Sequence, residues 1–246
     1  MPTLNQNDIE TLLITKSSIV GSGLSRIVHR DQETISYVLA SDMFAQCKRA
    51  VDTRHALFVL VYYSGIDTLE HRYGPYSDET TYEIESFESS LSHFISKLSD
   101  DAKKRTLMIL TADHGVSQTS RFYYLKDNPR MMNSLLLPPT GDSRAAFLYS
   151  KPDKQEQLKQ AFNDDIRGFE LFPSEELLAK GVYGSTPDFQ SMRTRIGDFT
   201  ALSISQNAIQ YPFFEDDRKR EQRGSHGGMT PEEMIVPLLS IRLSKL

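Results

Sequence analysis

Eight residues, Ala56-Leu57-Phe58-Val59-Leu60-Val61-Tyr62-Tyr63, run without a polar interruption and are closed by Ser64-Gly65. A run of this length, rich in β-branched and aromatic side chains, predicts a strand covered on both faces, as in a parallel sheet. The chain then breaks at Gly65 and delivers Asp67 and, four residues on, His71. Open α/β sheets bind ligands where the carboxyl ends of their strands give way to loops. A carboxylate and an imidazole one helical turn apart share a face and can reach one point in space. Their oxygen and nitrogen donors are a pair that zinc accepts.

A second strand is expected at Thr106-Leu107-Met108-Ile109-Leu110-Thr111, and it ends in Ala112-Asp113-His114-Gly115. Between the two strands, Ile84, Phe87, Leu91, Phe94, Ile95 and Leu98 are spaced by three and four, which predicts a long helix capped by Ser77 or Asp78 and packed through one stripe. His93 lies beside the stripe and reads as structural or exposed. Strand, helix and strand in succession imply a right-handed crossover and parallel strands. Both Asp/His pairs then open on the same edge of the sheet.

The rest of the chain is read more coarsely. Residues 1–30 give a weak pattern, with a short apolar run at Leu12-Leu13-Ile14 and then Ser17, Ser18, Gly21, Ser22 and Gly23 as loop. Residues 34–53 are expected to form a helix. Residues 117–143, with Pro129, Pro138, Pro139 and Gly141, and residues 206–223, rich in charge, read as loops. Strands are expected at 145–149, 169–172, 196–204 and 235–243, and helices at 152–165 and 173–180. His226 lies in Gly224-Ser225-His226-Gly227-Gly228, followed by Thr230-Pro231-Glu232-Glu233. Thr230 and Glu233 have the spacing of a capping box, with Pro231 at the first helical position.

Composition narrows the function class. The 246 residues, read as a single domain, carry a net charge of -5, which argues against a nucleic-acid surface. The densest basic cluster, Arg218-Lys219-Arg220 with Arg223, is interleaved with Asp216, Asp217 and Glu221 and reads as a solvated loop. One cysteine, Cys47, excludes an intrachain disulfide and a zinc finger, and reads as a small buried hydrophobe. No apolar run approaches about 18 residues, so no membrane segment is expected. Met1–Asp8 lacks the basic and apolar regions of a signal peptide, which points to the cytoplasm unless an export signal lies further upstream.

The polar donors at strand ends and in glycine-bracketed turns are Asp67, His71, Asp113, His114 and His226. Each alone is unremarkable: Asp-His-Gly is a common turn, and a histidine between glycines can cap a loop. Together they are too many for one tetrahedral zinc. They suit two metals about 3.5–4 Å apart, the arrangement that clamps attacking and leaving oxygens in phosphoryl transfer.

Three blocks carry a resemblance: Gly65-Ile66-Asp67-Thr68-Leu69-Glu70-His71-Arg72-Tyr73-Gly74-Pro75, Thr111-Ala112-Asp113-His114-Gly115, and Gly224-Ser225-His226-Gly227-Gly228 with Pro231-Glu232-Glu233-Met234-Ile235-Val236-Pro237-Leu238-Leu239. The chain resembles the alkaline phosphatase superfamily, and within it the type I phosphodiesterase/nucleotide pyrophosphatase group, from about Gly21 onward. Ser22-Gly23-Leu24-Ser25-Arg26 and Arg195-Ile196-Gly197-Asp198 add to the likeness. The resemblance implies a three-layer α/β/α sandwich with a mostly parallel central sheet. It also implies a two-zinc hydrolase of phosphodiesters or phosphate esters, acting on a small phosphate ester or nucleotide. By position, Asp67, His71 and His226 would ligate one zinc, and Asp113 and His114 the other. Manganese fits many of the same donors.

The sequence departs from the family pattern at its start. The family's first strand, ending in a metal-binding aspartate, and its nucleophilic Thr or Ser should lie upstream of Ser22. Thr11, Thr15, Ser17 and Ser18 are not at a strand-to-helix turn, so no nucleophile is identified. The chain is therefore read as the C-terminal part of a larger catalytic domain, lacking its first strand or strands. Its apolar strands would then leave an open sheet edge that invites self-association. A metal-binding homologue without turnover and phosphomutase chemistry on the same scaffold stand as alternatives. Sulfatase chemistry is disfavoured because Cys47 lies in no Cys-x-Pro-x-Arg context.

Overall fold

The structure is a computed structural model describing residues 4, 6–29, 32–55, 57–184, 189–214, 216–217 and 221–245. Ala56, most of Met1–Asn5 and the cluster Arg218-Lys219-Arg220 lie outside the described residues. The chain divides into two compact units. One comprises Met1–Leu69, Asp78–Thr111 and Pro237–Leu246, the other Glu70–Ser77 and Ala112–Val236.

The first unit contains β1 (Glu10–Lys16), α1 (Gly23–Val28), β2 (Glu33–Tyr37), α2 (Ala40–Thr53), β3 (Leu57–Val61), the start of α3 (Gly65–Tyr73), α4 (Asp78–Lys97), α5 (Asp100–Arg105), β4 (Leu107–Thr111) and the strand Leu238–Arg242. The order β2-β1-β3 is parallel throughout. β1 is the central strand, with Thr11, Leu12, Leu13, Ile14 and Thr15 all buried. α2 begins where the Asp42 carboxylate accepts the Val38 and Leu39 amides, at 2.9 and 2.6 Å, satisfying donors that a helix start leaves open. α2 packs Met43, Cys47 and Ala50 against Leu12, Ile14 and Tyr37. The stripe of α4 joins that core through Phe87 and Phe94, whose rings lie 5.6 and 5.5 Å from Phe44. Fully burying one such side chain stabilises the fold by about 1.5–3 kcal/mol. His93 is exposed, and no helix among the described residues is long and apolar enough to cross a membrane.

Several expectations are corrected here. The weak pattern of residues 1–30 hides the central strand β1, because the two threonines that lengthen its apolar run count as polar. The helix expected at 34–53 is β2 followed by α2. β3 is not covered on both faces: with β1 in the centre it becomes an edge strand, and Phe58 and Val61 are exposed. β4 pairs antiparallel with Leu238–Arg242.

The second unit takes the end of α3 and then β5 (Ser117–Gln118), β6 (Arg121–Tyr124), α6 (Pro129–Ser134), β7 (Thr140–Asp142), β8 (Ala145–Leu148), α7 (Gln155–Asp165), β9 (Phe169–Pro173), α8 (Ser174–Ala179), α9 (Phe189–Ile196), β10 (Phe199–Ser203), β11 (Asn207–Gln210), β12 (Gly224–Ser225) and α10 (Pro231–Met234). The segments expected as loops at 117–143 and 206–223 thus contain short strands and a helix. Their prolines and glycines mark ends: Pro129 opens α6, behind the Asn128 side chain that accepts the Met131 amide at 3.0 Å. β7-β8-β10-β9 form an antiparallel sheet, and α6 and α7 bury Met131, Leu158 and Phe162 with Leu148 and Ala201. β11 lies parallel to β6, and β12 antiparallel to β5. The last pair matters most, because β12 leads directly into His226.

Candidate metal centre

Three imidazoles from distant segments meet in the second unit. His71 comes from the C-terminal half of α3, His114 from the turn after β4, and His226 from the glycine-flanked loop after β12. The His114 and His226 rings stack with centroids 3.6 Å apart and planes inclined by 19°. The His71 and His226 rings lie 5.1 Å apart. The nitrogens that His114 and His226 offer are within 4.8 Å of each other.

The backbone fixes two of these rings. His71 Nδ1 lies 2.8 Å from the Gly224 carbonyl oxygen, and the His71 carbonyl accepts the Arg223 amide at 2.8 Å. His114 Nδ1 lies 3.0 Å from the Gly115 carbonyl oxygen. A carbonyl only accepts, so in both rings Nδ1 carries the proton and donates. That tautomer puts the basic lone pair on Nε2, the state in which histidine binds a metal. Gly224 permits the contact with His71, since a Cβ there would meet the Glu70 carbonyl oxygen at 2.5 Å and Val116 Cγ1 at 2.8 Å.

The carboxylates are placed differently from each other. Asp113 has its side chain 65% exposed, with Oδ1 at 3.7 Å from His114 Nε2. Asp67 is half-buried on α3, one turn before His71, in the part of the helix that belongs to the first unit. Imidazole nitrogens held in fixed orientation, together with carboxylate oxygens, are a donor set that fits zinc. Sequence reasoning missed the part played by Arg223, whose amide anchors His71 although the residue reads as one more charge in a solvated loop.

The sequence model of the type I phosphodiesterase / nucleotide pyrophosphatase family matches residues 24–229. None of the curated proteins matches the sequence. Among solved structures, murine ectonucleotide pyrophosphatase/phosphodiesterase 5 aligns with a TM-score of 0.70 at 19% identity over 97% of this chain. The human protein of the same name, and an inactive threonine-to-alanine variant of the murine one in complex with AMP, align at 0.69, also with 19% identity over 97% of this chain. In each case the chain spans 62% of the length of the matched structure. The fold is thus the mixed α/β fold of these alkaline phosphatase-like proteins. The family match covers most of the sequence, and the chain belongs to the type I phosphodiesterase/nucleotide pyrophosphatase family, a family of phosphoric ester hydrolases.

Proposed function

We propose that this chain holds divalent metal, zinc before manganese, through His71, Asp113, His114 and His226, and that it serves the hydrolysis of a phosphodiester or nucleotide. The observation that carries this reading is the pair of Nδ1-to-carbonyl hydrogen bonds at His71 and His114, at 2.8 and 3.0 Å, which fix both rings and leave Nε2 to face a ligand. Zinc held by these residues would supply Lewis-acid charge to phosphoryl oxygens. The chain's own part is to bind and orient. The end of α3 presents His71, the turn after β4 presents Asp113 and His114, and the loop after β12 presents His226. The AMP bound by the murine relative supports a nucleotide as the ligand class.

A second reading, a metal-binding homologue without turnover, rests on the hydroxyls. Thr11 and Thr15 are buried within β1, where neither can meet a substrate. The two readings separate in one experiment on the purified protein: zinc content by mass spectrometry, with hydrolysis of bis(p-nitrophenyl) phosphate before and after chelation. Bound zinc with chelator-sensitive turnover supports the hydrolase. Bound zinc without turnover supports the second reading. Protein that binds neither zinc nor manganese overturns both.

A further inference from the structure

Glu233 is the third residue of the four-residue helix α10, and it is buried opposite a buried Arg144. Arg144 Nε donates to Glu233 Oε1 at 2.6 Å and Nη2 donates to Oε2 at 2.8 Å. The same carboxylate accepts the Gly228 amide at 2.8 Å, the Thr230 hydroxyl at 2.6 Å and the Thr230 amide at 3.3 Å. Its main-chain carbonyl accepts the Gly115 amide at 2.8 Å. Gly115 follows His114, and Gly228 lies two residues beyond His226. One residue therefore fastens both histidine-bearing turns, by its backbone on one side and its side chain on the other. Both approaches are close: a Cβ on Gly115 would meet the Glu232 carbonyl oxygen at 2.0 Å, and one on Gly228 would meet Glu233 Oε2 at 2.8 Å.

Burying an ion pair is a poor way to gain stability, since well-packed apolar residues of similar volume often do as well or better. An apolar pair, however, cannot hold three loop donors in fixed directions. We infer that Arg144 and Glu233 are positioning residues whose buried pair sets the spacing of His114 and His226. The inference rests on the metal-centre reading above and adds the residues that fix its donor spacing. Removing partners of this kind, one shell out from the ligands, lowers metal affinity by about 10–100-fold.

The test uses the full chain and three proteins: wild type, the double variant Arg144→Met/Glu233→Gln, and the core variant Leu158→Ala as a destabilised control. The double variant removes both buried charges together, so that neither is left without its partner. Two quantities are measured: ring-to-ring nuclear Overhauser contact between His114 and His226 in metal-free protein, and zinc affinity by competition with a chromogenic chelator. The expected result is loss of the ring contact and zinc binding at least about tenfold weaker in the double variant, with both quantities kept in Leu158→Ala. A ring contact that persists in the double variant overturns the inference, whatever the zinc result. Loss of contact with zinc affinity unchanged, or equal loss in Leu158→Ala, also overturns it. If wild type binds no zinc but the double variant alone loses the contact, the positioning role stands and the metal reading fails.

Discussion

The stacked rings of His114 and His226 are 112 positions apart in the sequence and 3.6 Å apart at their centroids. The contact brings the turn after β4 and the loop after β12 to one place, and it joins two segments that nothing in their spacing along the chain connects.

Replacing His226 with alanine removes one member of the stack. Zinc affinity should fall on the order of a hundredfold, at or beyond the upper end of the effect of outer partners. Any chelator-sensitive phosphodiesterase activity should fall with it. His93→Ala, on an exposed position of α4, should leave the affinity unchanged. Competition titration with a chromogenic chelator reads both variants.

Gly115→Ala forces a methyl group to within 2.0 Å of a backbone oxygen, that of Glu232, which cannot swing away as a flexible side chain would. The strain should destabilise the protein by about 1–3 kcal/mol, as over-packing of a close contact does. Urea unfolding of metal-free protein measures it.

Glu233 makes stability depend on acidity. Burial works to raise its pKa, but the Arg144 guanidinium, the Thr230 hydroxyl and the Gly228 amide outweigh burial and hold it below the ordinary value of 4.5. A folded-state value below the unfolded one means the contribution is fully present above about 4.5 and is lost as pH falls through the lower folded value. Metal-free wild type should therefore lose stability on acidification through that range. The double variant Arg144→Met/Glu233→Gln should show a shallower acid limb in urea unfolding carried out at successive pH values.

Cys47 should be inert. Burial pushes its thiol up to about 12, so at pH 8 only about one thiol in ten thousand is ionised, and the thiolate is the reactive form. A chromogenic disulfide reagent should leave the native protein unlabelled and titrate one thiol per chain in denaturant.

Elements that announce themselves within a few residues were legible in the sequence. The stripe from Phe87 to Leu98 gave α4, and Thr230-Pro231 with Glu233 gave the start of α10. The five candidate ligands stood out because glycines and strand ends bracket them. What stayed hidden depends on distance along the chain. Glu233 read only as a local cap, because its partner Arg144 lies 89 residues upstream and nothing in the spacing joins them. β1 was missed because Glu10, Lys16 and two threonines dilute a run of three apolar residues. With that strand at the centre of β2-β1-β3, β3, the most apolar run in the sequence, lies at the edge of the sheet among the described residues.

The bond from His71 to the Gly224 carbonyl closes a loop of 153 residues. During synthesis at about 5–20 residues per second, the ribosome needs roughly 8–30 s to make Gly224 after His71 has been added. Nothing else in the chain provides that carbonyl or the ring of His226. The end of α3 is therefore fastened at His71 only once that interval has passed, long after the helix itself has been synthesised.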